Sequence, residues 1–154
     1  MGFDDLWKDA RFGMGLLRQK PFSVLLQVTN RCNMTCSFCD FWPHPAARGE
    51  ELTLDDYQRL ADELDQLGCF LISIEGGEPM VRKDLPNIIA ALSKRHITVL
   101  FTNGWYMTPR RAEELWDSGL TTASVSIDYP DAARHDEKRG LPGATDRAWR
   151  AIEL

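Results

Sequence analysis

Short apolar runs of strand length alternate with stretches of helical period, and the alternation repeats four times along the chain. The first run, "FSVLLQV" at 22–28, follows Pro21 and is rich in branched and aliphatic residues, which predicts a strand buried on both faces. After a cysteine-bearing loop comes "TLDDYQRLADELDQLG", where Leu54, Tyr57, Leu60, Ala61, Leu64 and Leu67 make one apolar stripe. Thr53 reads as its N-cap, Asp55 and Asp56 suit its first turn, and Gly68 stops it. "CFLISI" at 69–74 predicts a second strand, and Leu85, Ile88, Ile89 and Leu92 the stripe of a second helix. "ITVLFT" at 97–102 predicts a third strand, followed by a helix opened by Thr108 and Pro109 and closed by Gly119. "TASVSI" at 122–127 is the fourth, and "TDRAWRAIEL" starts a further helix with Thr145 as cap and Trp149 and Ile152 on its inward face.

Strand-to-helix units in series, with short connections, imply right-handed crossovers and a parallel sheet of the α/β class. Such folds gather their chemistry at the carboxyl ends of the strands. Every unusual stretch here follows a strand: the cysteines follow the first, "GGEP" the second, "TNGW" the third and Asp128 the fourth.

The chain has 154 residues, 44% of them hydrophobic, enough to bury a sizeable core. No apolar run approaches the roughly 18 residues of a membrane span. The opening stretch "MGFDDLWKDARFGMGLLRQK" has acids where a secretory signal needs a positive flank, so residues 1–20 read as an N-terminal helical extension ahead of a core domain at 21–154. A cytoplasmic location is the expectation. Basic residues are interleaved with acids and the net charge is -5, which argues against a nucleic-acid partner.

In a reducing compartment, clustered cysteines point to metal ligation or catalysis before disulfides. Cys32, Cys36 and Cys39 stand within eight residues, and the remaining cysteine, Cys69, opens an apolar run as a small core residue. A structural zinc site wants four ligands, and His44 would complete a Cys3His set. An iron–sulfur cluster held by three thiolates leaves one iron open to substrate or cofactor. Both arrangements suit the spacing.

The pattern CxxxCxxC, with Phe38 just before the last cysteine and the whole loop just after a first strand, resembles the radical S-adenosylmethionine (SAM) enzyme superfamily. The resemblance implies a [4Fe-4S] cluster on Cys32, Cys36 and Cys39, with the open iron chelated by SAM. It implies reductive cleavage of SAM to a 5'-deoxyadenosyl radical, used for hydrogen abstraction or adenosyl transfer on a small-molecule or peptide substrate. An electron donor such as flavodoxin or ferredoxin is implied with it. "GGEP", Gly76 to Pro79, stands where the family holds the SAM amino group. Glycine lets backbone carbonyls approach an ammonium closely, and Glu78 favours the positive charge.

The resemblance carries further roles toward SAM to Phe38, Asn103, Ser126 and Asp128, each also readable as a packing or turn residue. Trp42, Trp105 and Tyr106 are candidates to face substrate, while His96 reads as a helix-end cation and His135 as a solvent loop residue. The family core is a partial (βα) barrel of six units, so a chain ending in its fourth is expected to be the N-terminal part of a longer enzyme. A zinc-stabilised α/β binding module and a non-catalytic cluster-binding relative are the alternatives. The stretches "LQVTNRCNMTCSFCD", "SIEGGEPMVRKDLP" and "VSIDYPDAARHDEKRG" resemble the branch of molybdenum-cofactor cyclases, peptide-modifying maturases and hopanoid adenosyl transferases.

Overall fold

In the computed structural model, which describes residues 3–45 and 48–154, the four apolar runs become strands β1 (Ser23–Thr29), β2 (Leu71–Gly76), β3 (Ile97–Thr102) and β4 (Thr122–Val125). They form one all-parallel sheet in the order β1-β2-β3-β4. Each connection therefore returns the chain to the position next door, which is how a (βα) barrel is built. The helices are α1 (Phe3–Leu17), α2 (Leu54–Leu67), α3 (Leu85–Ser93), α4 (Pro109–Asp117), α5 (Ala132–Arg139) and α6 (Ala144–Ile152).

The period-2 alternation of the strands sorts one face toward the helices. Leu26 pairs with Ile74 and Ile74 with Leu100, a row that packs on Tyr57, Ala61, Ile88, Ile89, Leu92 and Leu115. Each fully buried branched side chain contributes about 1.5–3 kcal/mol. Thr53 caps α2 through a capping box with Asp56, and Pro109 and Thr108 open α4, as the sequence predicts. On the other face Leu25, Gln27 and Phe101 are exposed, so β1 is not buried on both sides: Leu25 is 71% exposed. Helices cover one face, and among the described residues β1 pairs with β2 alone. α1 lies across the end of the sheet away from the functional loops, with Phe12 edge-on to Phe22 and Lys8 Nζ donating to the Ser93 carbonyl at 3.2 Å.

One helix, α5, is not among the predicted elements, and two expectations for α6 change. α5 has no apolar stripe, and Asp131, whose side chain accepts from Arg134 N, with Gly140 at φ +68°, delimits it instead. α6 starts one residue before Thr145, with Gly143 at its cap, and the Asp136 carboxylate of α5 accepts from Thr145 N at 2.9 Å. Trp149 and Ile152 face outward, and Ala144, Ala148 and Ala151 are the buried positions. Small residues are required there because α6 crosses the β3 turn closely: a Cβ on Gly104 would lie 3.0 Å from Ala151 Cβ.

Neither histidine is a solvent cation. His96 is fully buried, its Nδ1 accepting from Phe70 N at 3.2 Å, so the neutral ring carries its proton on Nε2 and donates to Ala61 O at 3.0 Å. His135 is buried inside α5, and its Nδ1 accepts from Asp128 N at 3.3 Å. Burial pushes both rings below the ordinary 6.5. A base with a lowered native pKa is protonated more readily in the unfolded chain. Its contribution is therefore complete above about pH 6.5 and is lost as the pH falls. Asp84, held low by its hydrogen bond from Arg82, loses its contribution only below the ordinary carboxylate range. Buried Glu78, raised above the ordinary carboxylate value, works the other way, so the expected signal is a difference: between pH 7 and 5 the urea midpoint of the cofactor-free wild type falls relative to that of His96→Gln. No difference in pH dependence between the two proteins would show that the ring is not held neutral.

Candidate functional site

A parallel sheet brings the four loops after its strands to one end of the molecule, and hydrogen bonds join them there. The loop after β1 carries the cysteines. Cys36 is buried, Cys32 and Cys39 are half-buried, and all three are free thiols packed with Met34, Trp105, Leu141 and Ala144. Met34 N donates to Cys32 Sγ at 3.4 Å, while Cys39 N and Trp42 Nε1 both donate to the Cys36 carbonyl, at 3.2 and 3.0 Å. Burial pushes the Cys32 and Cys36 thiols up, and Arg139 works against that rise at Cys36.

Residues far downstream fix this loop. Thr35 N donates to Arg139 O at 3.2 Å and Ser37 N to Lys138 O at 2.9 Å, so the last turn of α5 spends its free carbonyls on the cysteine loop. Gly140 allows the approach, since a Cβ there would stand 2.2 Å from Thr35 Oγ1.

The loop after β2 packs on the same segment from the other side. Gly77 N donates to Thr29 O at 2.8 Å and Glu78 N to Arg31 O at 2.9 Å. Gly76 adopts φ +132°, and a Cβ on Gly77 would lie 2.3 Å from Arg31 O. Glu78 is 1% exposed. Its carboxylate accepts from Asn103 N at 2.7 Å, Thr102 Oγ1 at 2.8 Å and Met80 N at 3.0 Å, tying the second loop to the third. Burial raises its pKa, with those hydrogen bonds pulling the other way. Pro79, also buried, opens a single 3-10 turn.

Asn103 closes the circuit, donating from Nδ2 to Asn33 Oδ1 at 2.9 Å. Ser126 N donates to Thr102 O at 2.9 Å, and Asp128 accepts from Arg139 Nε at 2.7 Å. Phe38 is 54% exposed, with the Arg139 guanidinium 5.6 Å from its ring centroid. Tyr106 is exposed, while Trp105 is half-buried beneath Arg147. Arg139, Arg82 and Thr102 were not legible as site residues. Arg82 reaches Val28 O and Leu52 O as well as Asp84, bracing the floor of the second loop.

Among the described residues no group of three or more His, Cys, Asp or Glu side chains stands together as a metal-ion site, with or without the exposed His44. The donor chemistry nevertheless suits a thiolate-held cluster: three thiols share one loop and one small apolar cluster, and Asn33 Nδ2 within that loop is buried without a partner. No described helix is long and apolar enough to cross a membrane.

A family model described as Radical SAM superfamily matches residues 26–154. An AdoMet-dependent heme synthase of Nitratidesulfovibrio vulgaris is 38% identical over 130 residues, covering 84% of this chain and 35% of that protein. A PqqA peptide cyclase of Granulibacter bethesdensis is 31% identical over 137 residues, covering 88% of this chain and 37% of that protein. The fold is similar to that of Streptococcus suis SuiB bound to its precursor peptide SuiA, with a TM-score of 0.73 at 22% identity, over 95% of this chain and 34% of that one. The chain thus spans little more than a third of the length of the curated relatives it matches.

Proposed function

Because this chain belongs to the Radical SAM superfamily, whose members bind a [4Fe-4S] cluster and SAM, we propose that its loop end holds both and supports reductive SAM cleavage. The observation that carries this reading is the interlock of two loops. The backbone just before Cys32 accepts hydrogen bonds from Gly77 and Glu78, so the thiol loop and "GGEP" are one rigid unit. Cys32, Cys36 and Cys39 would hold the cluster, which supplies the electron that breaks a carbon–sulfur bond of SAM.

The chain's own residues prepare the surroundings. Gly76 and Gly77 let the second loop lie against the backbone of Thr29 to Arg31, and with Pro79 fixing the turn that follows, this loop would receive the SAM amino group. Glu78 spends its carboxylate on Asn103, Thr102 and Met80, so its part is to set that backbone while adding negative charge near an ammonium. Phe38, Asn103, Ser126 and Asp128 would line the adenosyl side. Heme, peptide and nucleotide names among the relatives make a small molecule or peptide the proposed substrate class, with flavodoxin or ferredoxin as reductant. The proposed location is cytoplasmic, where thiols stay reduced.

Anaerobic reconstitution tests this. Roughly four iron and four sulfide per chain are expected, with a reduced-state electron paramagnetic resonance signal that SAM perturbs, and 5'-deoxyadenosine on reduction. Zinc without sulfide would favour the binding-module alternative. A cluster that SAM does not perturb would favour the non-catalytic one.

A further inference from the structure

We propose that Arg139, at the last turn of α5, is a positioning residue that sets Asp128 against the cysteine loop, so that SAM affinity depends on it without any contact between Arg139 and SAM. This rests on the cluster and SAM reading above. The side chain is 9% exposed and is engaged at three points. Nε donates to Asp128 Oδ2 at 2.7 Å, Nη2 reaches Ser126 O at 3.5 Å, and the guanidinium lies 5.6 Å from the centroid of Phe38. Its own carbonyl accepts from Thr35 N between the first two cluster cysteines. One residue thus grips the β4 end with its side chain and the cysteine loop with both side chain and backbone.

Chemistry makes arginine specific here. A guanidinium stays charged when buried, and its planar face can lie on an aromatic ring while an edge N–H meets a carboxylate. A lysine ammonium is a point charge on a flexible stem and cannot do both. The other ionisable groups facing this site are His135, 3.8 Å from Asp128 Oδ2, the Cys36 thiol and the buried Glu78. Without Arg139, Asp128 keeps only neutral His135 beside it and is free to turn away.

The test uses reconstituted protein bearing Arg139→Lys, Asp128→Asn or both, with Arg134→Gln on the exposed side of α5 as control. Dissociation constants for SAM are read by equilibrium dialysis, iron per chain by colorimetry, and folding by urea midpoint of the cofactor-free form. Arg139→Lys is expected to retain a folded chain and most of its iron while weakening SAM binding roughly ten- to a hundred-fold, the loss of one charge-assisted hydrogen bond. The double variant is expected to be no weaker than Asp128→Asn alone, because both changes act through one carboxylate. Additive losses, or wild-type SAM affinity in Arg139→Lys, would overturn the positioning role. Should the lysine variant unfold, Asp128→Asn carries the test, and unchanged SAM affinity there overturns the proposal. A wild-type protein that takes up no cluster or SAM is a different result: it removes the functional reading itself.

Discussion

Alanine at Cys32, Cys36 or Cys39 is expected to abolish an oxygen-sensitive [4Fe-4S] cluster, and alanine at Cys69 to leave it intact. The first three thiols share one loop at the carboxyl end of β1, whereas Cys69 is 3% exposed and precedes β2 at Leu71, at the amino end of the sheet. Parallel neighbours of six residues span roughly 20 Å at about 3.3 Å per residue, so Cys69 stands a full strand length away. Iron and sulfide counting of the four reconstituted variants decides the matter. Equal cluster loss in Cys69→Ala would mean four-cysteine ligation and no open iron.

Most of this arrangement was legible because the signals are local. Branched runs after Gly or Pro, the Thr53 cap and the Leu85–Leu92 stripe each dictate their own element, and four such units in series dictate a parallel sheet. The misses share a different cause. α5 is polar throughout, and what holds it is Asp131, Gly140 and the turn it makes under the cysteine loop, none of which leaves a periodic trace. His96 looks like any helix-end histidine until the carbonyl of Ala61 and the amide of Phe70 are brought to its two nitrogens. Arg139 is one of two basic residues in "DEKRG", and only the fold puts Asp128 and Phe38 beside it. Long-range polar contacts are decided by topology, which pattern alone does not specify.

Gly77→Val is expected to destabilise the cofactor-free protein by on the order of 2–4 kcal/mol and to remove iron and SAM binding together. From sequence alone the glycine reads as room for the SAM amino group, and a branched side chain there should block SAM while sparing the cluster. The geometry changes that expectation. The Cβ would stand 2.3 Å from Arg31 O and 2.9 Å from Asn30 O, both backbone atoms that cannot rotate aside, immediately before Cys32. Relief requires the second loop to part from the first, breaking the bonds from Gly77 N and Glu78 N that register the thiols. Gly15→Ala is the comparison, since it lies within α1 with nothing within 4 Å of a new Cβ and should stabilise by about 0.5–1 kcal/mol. Urea midpoints and iron counts on both variants check this. Full iron content with lost SAM binding in Gly77→Val would restore the simpler role.

The hold of α5 on the cysteine loop also sets a timetable. Ribosomes deliver the three thiols early, but the carbonyls of Lys138 and Arg139 that dock their loop are made roughly a hundred residues later, a wait on the order of ten seconds at typical synthesis rates. Until then the nascent segment lacks these two carbonyls and its apolar neighbours Leu141 and Ala144. Before α5 emerges the loop can be held from one side, by Gly77 and Glu78; afterwards Lys138 and Arg139 hold it from the other side as well. The full shape of the cysteine loop therefore follows synthesis of the fourth strand and the helix behind it.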